Sequence, residues 1–310
     1  MVKIDLITGF LGSGKTTFIK KYAKYLIDSG ANIGILENDY GAVNVDMMLL
    51  KDLEGENCEL EMIAGGCDAE CHRRRFRTKL IAMGMCGYDR VIVEPSGIYD
   101  VDEFFDVLRD DPIDRWYEIG NVITVVDAKL EEELSDEADY LLASEAANAG
   151  CIVLSRSQEA EDAEIENTVA HLNHAMEKVQ CKRRFQNDII IKDWDTFDNT
   201  DYEKLLSCRY VSESYRKMHI EEGETFKSLY FMNLDKTKDE ITEAAKKVLE
   251  DGECGKVFRV KGFLKDKEEK WLELNATHQE IRTAPIPEGQ EVVIVIGEEM
   301  NEAKIRGYFS

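Results

Sequence analysis

Residues Gly9-Phe10-Leu11-Gly12-Ser13-Gly14-Lys15-Thr16 fit the pattern G-x-x-x-x-G-K-[ST]. They lie between an apolar run, Ile4 to Ile7, and an uninterrupted helix-like stretch that begins near Thr17. A strand before and a helix after make this a phosphate-binding loop, and they commit the chain to strand–loop–helix architecture. Gly9, Gly12 and Gly14 let the backbone curl until peptide N–H groups, including those of Ser13 and Thr17, point inward. Lys15 can then reach the β- and γ-phosphates, and the Thr16 hydroxyl can hold a magnesium ion. The first expectation is a nucleoside-triphosphate site.

Apolar, β-branched runs recur at Ile4–Ile7, Ile33–Leu36, Leu60–Ile63, Val91–Val93, Val122–Val126, Ile152–Leu154 and Ile189–Ile191, mostly separated by helix-length segments. That alternation predicts an α/β fold, a mostly parallel sheet with helices on both faces. In such a sheet ligands sit at the carboxyl ends of strands, where Gly9, Asp39, Glu94, Asp127 and Ser155 can converge. After Trp194 the pattern changes. Residues 1–194 read as the nucleotide-binding domain, 195–224 as an inter-domain connection, and 225–310 as a small α+β domain with an antiparallel sheet.

Charge narrows the partners. Thirty-nine Lys and Arg against 63 Asp and Glu leave a net −24, which disfavours a nucleic-acid or anionic-membrane surface. No apolar stretch approaches the ~20 residues needed to span a bilayer, and no signal-peptide pattern precedes the first strand. A cytoplasmic protein with reduced thiols is expected from its eight cysteines in a long, nucleotide-using chain.

Glu94-Pro95-Ser96-Gly97 follows the strand at Arg90–Val93. A carboxylate there can hold magnesium through water, and the Gly97 peptide N–H can sense a γ-phosphate. Asp39, within Leu36-Glu37-Asn38-Asp39-Tyr40-Gly41, is the acid placed to orient the attacking water and help retain the ion, with Lys15 and Glu94 completing the catalytic set. An Asx-type turn is the alternative reading of Asp39. Cys67 and Cys71 are four residues apart, on one face if helical, and could share a thiophilic ion with Asp39, Glu37, Glu70 or water. Inert free cysteines are the alternative there. His72 would point elsewhere on a helix. The run His72 to Lys79 reads as a solvated helix balancing acidic neighbours, and His171 and His174 as surface or packing residues.

Taken in order, Gly9 to Thr17, Asn38-Asp39-Tyr40-Gly41, Gly66-Cys67 and Glu94-Pro95-Ser96-Gly97 resemble the CobW family of metal-associated P-loop GTPases, relatives of the urease and nickel-hydrogenase maturation GTPases. Phe258 to Phe263 and Val293 to Gly297 look like that family's C-terminal domain. The resemblance implies GTP hydrolysis that drives handling of a transition metal, zinc or cobalt, for a client metalloprotein, and it leaves a homodimer open. It assigns Lys15 and Thr16 to phosphate and magnesium, Asp39 to the first switch, Glu94 and Gly97 to the second, and Cys67 to the first metal thiol.

Two departures qualify it. The family's Cys-x-Cys-Cys is replaced here by Cys67-Asp68-Ala69-Glu70-Cys71. The base-reading Asn-Lys-x-Asp is replaced by Ser155-Arg156-Ser157-Gln158. A neutral Gln158 amide accepts more weakly than a carboxylate, while the planar Arg156 can still stack on a purine. GTP is therefore the first expectation and ATP its rival. A nucleotide-gated adaptor for a corrinoid or metalloenzyme, with little hydrolysis, is the competing function.

Overall fold

The computed structural model describes residues 1–39, 46–64, 69–97, 101–131, 134–186, 188–217, 226–232, 234–287 and 289–309. It divides into two compact units, Met1–His219 and Ile220–Ser310.

The first unit runs β1 (Val2–Thr8), α1 (Lys15–Asp28), β2 (Ile33–Asp39), α2 (Asp46–Leu50), β3 (Cys58–Ala64), α3 (Ala69–Gly84), β4 (Arg90–Pro95), α4 (Val101–Leu108), α5 (Ile113–Trp116), β5 (Tyr117–Asp127), α6 (Asp136–Ala147), β6 (Cys151–Ser155), α7 (Asp162–Lys178), β7 (Ile189–Ile190) and α8 (Asn199–Ser207). Its strands form one seven-stranded sheet in the order β3-β2-β4-β1-β5-β6-β7. Every pairing in it is parallel. All seven apolar runs are strands of this sheet, because covered on both faces they need no polar alternation.

β1 and β4 are neighbours, and β5 flanks β1 on its other side. This brings the ends of β1, β2, β4, β5 and β6 to one edge, as expected where crossover connections run right-handed. Helix α1 lies on the sheet through Phe18, Ile19, Tyr22, Ala23 and Leu26, all buried. Burying each large apolar side chain among these contributes about 1.5–3 kcal/mol, so the helix that follows the phosphate loop is firmly seated. A buried polar knot pins the middle of β1. Asp5 pairs with Arg90 and accepts hydrogen bonds from the Tyr22 hydroxyl at 2.7 Å and the Asn121 N–H at 2.8 Å. Position 120 must be glycine beside it, since a Cβ there would lie 2.3 Å from the Asp5 carboxylate.

The stretch expected to be a connection differs from that reading. Helix α8 falls inside it, and its Leu205 and Tyr202 join the apolar cluster of the first unit. Asp198 caps it, accepting from the N–H groups of Thr200 and Asp201, which offsets the helix's open donors.

The second unit holds β8 (Phe226–Met232), α9 (Lys238–Glu250), β9 (Lys256–Lys265), β10 (Trp271–Ala276), β11 (Ile281–Pro285), β12 (Val292–Glu298) and α10 (Glu302–Phe309). Its five strands form an antiparallel sheet, β11-β10-β9-β12-β8. Ile241, Ala245 and Val248 of α9 and Ile305 and Phe309 of α10 pack on Val260, Val293 and Val295 of that sheet. This is the α+β unit expected from the mixed order of elements.

Candidate nucleotide site

The loop between β1 and α1 has the conformation its glycines permit. Gly9, Gly12 and Gly14 have φ of 148°, 81° and 96°, a region costly for any residue with a Cβ. Gly9 also lies so close to β5 that a Cβ would meet the Val125 carbonyl oxygen at 2.2 Å. Helix α1 starts at Lys15 with no side-chain cap and no acidic residue in its first turn. Helices α6, α7 and α8 all begin with a side-chain cap or capping box and acids. The open N–H groups and positive dipole end of α1 therefore suit an anion.

Lys15 Nζ donates to the Gly9 carbonyl at 2.7 Å, lying across the loop it belongs to. Thr16 Oγ1 donates to Glu94 Oε1 at 2.8 Å, joining the loop to the end of β4. Glu94 is buried, and its second oxygen, Oε2, has no hydrogen-bond partner. Burial pushes its carboxyl above the usual carboxylate range, and Asp46 at the start of α2 pushes the same way. The Glu37 side chain across the β2–β4 register, the charge of Lys15 and the Thr16 hydroxyl act in the opposite direction. A hydroxyl next to a buried carboxylate oxygen that lacks a partner is an oxygen donor set that fits magnesium. Thr16 and Glu94 would hold the ion, and the ion would neutralise charge on the phosphates.

Gly97 presses on the loop from the other side. A Cβ there would fall 2.8 Å from the Leu11 nitrogen and 2.9 Å from its Cα. Thr17 is exposed on the first turn of α1. Ser155 lies beside Gly14, where a Cβ on the glycine would meet the Ser155 Cβ at 3.6 Å. Arg156, at φ 54°, pairs with Asp127 and reaches the Gly12 carbonyl at 3.5 Å. Gln158 is exposed on the turn that follows. The ends of β1, β4, β5 and β6 thus meet around the loop.

Asp39 closes β2. Its side chain and residues 40–45 lie outside the described residues, as does Cys67 within 65–68. Cys71 is half-buried in the first turns of α3. His72 follows on a different face, buried, with Nε2 at 2.6 Å from Asn38 Oδ1. Glu37 stands directly opposite Glu94 in the β2–β4 register, a proximity that strand alternation alone does not reveal. Among the described residues no three His, Cys, Asp or Glu side chains are grouped to hold a metal. The basic run on α3 is balanced by acids, with Lys79 pairing with Glu61 and Arg73 and Arg77 facing Asp110. His171 is engaged with Asp139 at 2.7 Å. One buried acid of the site escaped the sequence reading altogether. Glu145 of α6 faces Thr8, Gly9 and Lys15, and its sequence context is an ordinary helix.

Residues 3–186 match the family described as CobW/HypB/UreG, nucleotide-binding domain. The chain belongs to this family. Among its relatives, the zinc chaperone YeiR of Escherichia coli (strain K12) is 28% identical over 158 residues, 51% of this chain and 47% of its own length. The zinc chaperone YjiA of the same organism is 26% identical over 183 residues, 56% of this chain and 55% of its own length. The chain thus spans about half the length of these relatives. The solved zinc-bound YjiA GTPase from E. coli aligns over 99% of this chain and 98% of its own, at 18% identity and a TM-score of 0.38. No helix among the described residues is long and apolar enough to cross a membrane.

Proposed function

We propose that this chain is a magnesium-dependent nucleoside triphosphatase, with GTP as its first substrate, whose nucleotide state is coupled to the binding and delivery of a zinc or cobalt ion for a client metalloprotein. The observation that carries this is the uncapped start of α1 combined with Thr16 bonded to the buried Glu94. Family membership supports the nucleotide half of the reading. The names of the relatives, zinc chaperones, support the metal half.

In this scheme Lys15 leaves the Gly9 carbonyl for the β- and γ-phosphates, and the N–H groups of Gly12 to Thr17 surround them. Gly97 holds the loop against the end of β4 and presents its N–H to the γ-phosphate. Asp39 orients the attacking water. The metal ion is cargo, taken by Cys67 and Cys71 with a neighbouring acid, and β2, which carries both Glu37 and Asp39, links that site to the phosphates. A cytoplasmic location fits the reduced thiols and the charge.

Turnover of Lys15→Ala and Asp39→Ala tests the reading. Each should lose on the order of 100-fold in single-turnover hydrolysis, the scale of removing one group that stabilises transition-state charge. Wild-type rates in both variants would end it. A second reading, ATP as substrate, is favoured by Gln158 standing exposed where a base-reading carboxylate is expected. Competition of GTP against ATP, with and without zinc, decides between them.

A further inference from the structure

Glu145 is fully buried in α6, and nothing in the catalytic scheme uses it. Its backbone carbonyl is tied to β5 by the Thr124 hydroxyl at 2.7 Å. Thr124 in turn stands opposite Thr8 in the β1–β5 register, so residue 145 lies beside the end of β1, where the chain turns into the phosphate loop. There the carboxyl faces the Thr8 hydroxyl, the Gly9 N–H and the Lys15 ammonium. Thr8 is itself fully buried, and neither its hydroxyl nor either Glu145 oxygen has a partner at full hydrogen-bond geometry. A buried acid beside the Thr8 hydroxyl and the Gly9 N–H, within the field of the Lys15 charge, is costly unless the arrangement serves something.

We propose that Glu145 is a positioning residue of the nucleotide site: protonated, it supports Thr8, Gly9 and Lys15 from below in the geometry that accepts phosphate, and ionised, it competes with phosphate for Lys15. This rests on the nucleotide reading given above and adds a proton to it. Burial raises the carboxyl to about 8, against the pull of Lys15, the Thr8 hydroxyl and the Gly9 N–H. Among the described residues, Lys15 is the one charged group that acts on it. Below that range the acid is neutral, and Lys15 is free to exchange the Gly9 carbonyl for a phosphate oxygen. Above it, a carboxylate beneath the loop attracts Lys15 and repels the triphosphate. Bound phosphate in turn favours the protonated acid, so nucleotide binding near this pH takes up a proton.

The experiment is a calorimetric titration with magnesium–GTP at about pH 7 and pH 9, in buffers of different ionisation enthalpy, on wild type, Glu145→Gln and Glu145→Ala. If only the protonated form binds well, wild-type affinity falls about tenfold between these pH values. Proton uptake accompanies binding near pH 8. Glu145→Gln, which has no proton to lose, flattens the profile and abolishes the uptake, whereas Glu145→Ala weakens binding at both pH values. Glu94 also faces Lys15, and because it is intact in all three proteins, its contribution cancels in the comparison. A wild-type profile that Glu145→Gln reproduces, or no proton uptake by wild type, overturns the proposal and leaves the nucleotide reading standing. Absence of binding at every pH in wild type removes both.

Discussion

Gly97 shows at the residue scale how a short motif becomes a mechanical contact. An added Cβ would sit 2.8 Å from the Leu11 nitrogen, and the neighbour is backbone, which cannot swing aside as a side chain would. Gly97→Ala is therefore expected to displace the phosphate loop and weaken GTP binding by about tenfold or more. The strain, about 1–3 kcal/mol for overpacking, is taken up locally. Calorimetric titration measures the loss, and native affinity would show that the contact yields at no cost. Glu94-Pro95-Ser96-Gly97 alone is also a strand-ending turn, and only the strand before it and the phosphate loop upstream mark this glycine as a candidate in the sequence. Lys15 and Thr16 stand out through the phosphate-loop pattern itself. Glu145 does not, because Leu141-Leu142-Ala143-Ser144-Glu145-Ala146-Ala147 reads as a helix with one polar position, normally solvated. Only the fold, in which Thr124 of β5 bonds the Glu145 carbonyl and the side chain is fully buried, reveals that this position faces inward. Arg156 could be named but not placed, since its pairing with Asp127 depends on the β5–β6 register, which sets Asp127 opposite Ser155.

Elements were legible where burial imposes a period. The seven runs of the parallel sheet are nearly continuous apolar stretches, and such a signal survives because both faces are covered. β11 carries no such signal. Ile281 to Pro285 are all exposed, so nothing in their pattern marks a strand. It forms because β10 offers an open edge, and an edge place tolerates the terminal proline. Helix α8 was hidden differently, since Asp198-Asn199-Thr200-Asp201 has the polarity of a linker. The same residues make a reciprocal cap, in which Asp198 accepts from the Asp201 N–H at 3.2 Å and the Asp201 carboxylate accepts from the Asp198 N–H at 3.0 Å. The usual signature has glutamate or glutamine at the third helical position, and aspartate there escapes it. Asp198→Ala should lower the stability of the chain by about 1 kcal/mol, seen as a lower urea midpoint at unchanged slope. No change would mean that α8 is held by Tyr202 stacked on Tyr25 and by Leu205, without help from its cap.

For the whole molecule, Glu145 couples folding to pH in a direction opposite to that of most acids. A carboxylate paired or hydrogen-bonded in the fold stabilises it as it ionises. Glu145 is raised in the folded state from an ordinary 4.5 to about 8, so between these values the folded chain holds one proton more than the unfolded one. Its contribution is fully present below about pH 4.5 and is lost as pH rises through about 8, at about 1.4 kcal/mol per pH unit for one proton. Net charge acts in the same direction, because a chain at −24 repels itself more strongly as its remaining protons leave. Glu145→Gln separates the two effects, since it removes the titrating group and keeps the shape. Urea unfolding of both proteins at about pH 6 and pH 8 should show a gap in Glu145→Gln's favour that widens by roughly 2–3 kcal/mol between the two conditions. A gap of constant size would mean that this carboxyl already finds its charge compensated inside the fold, and the loss of stability with rising pH would then belong to the surface charge alone.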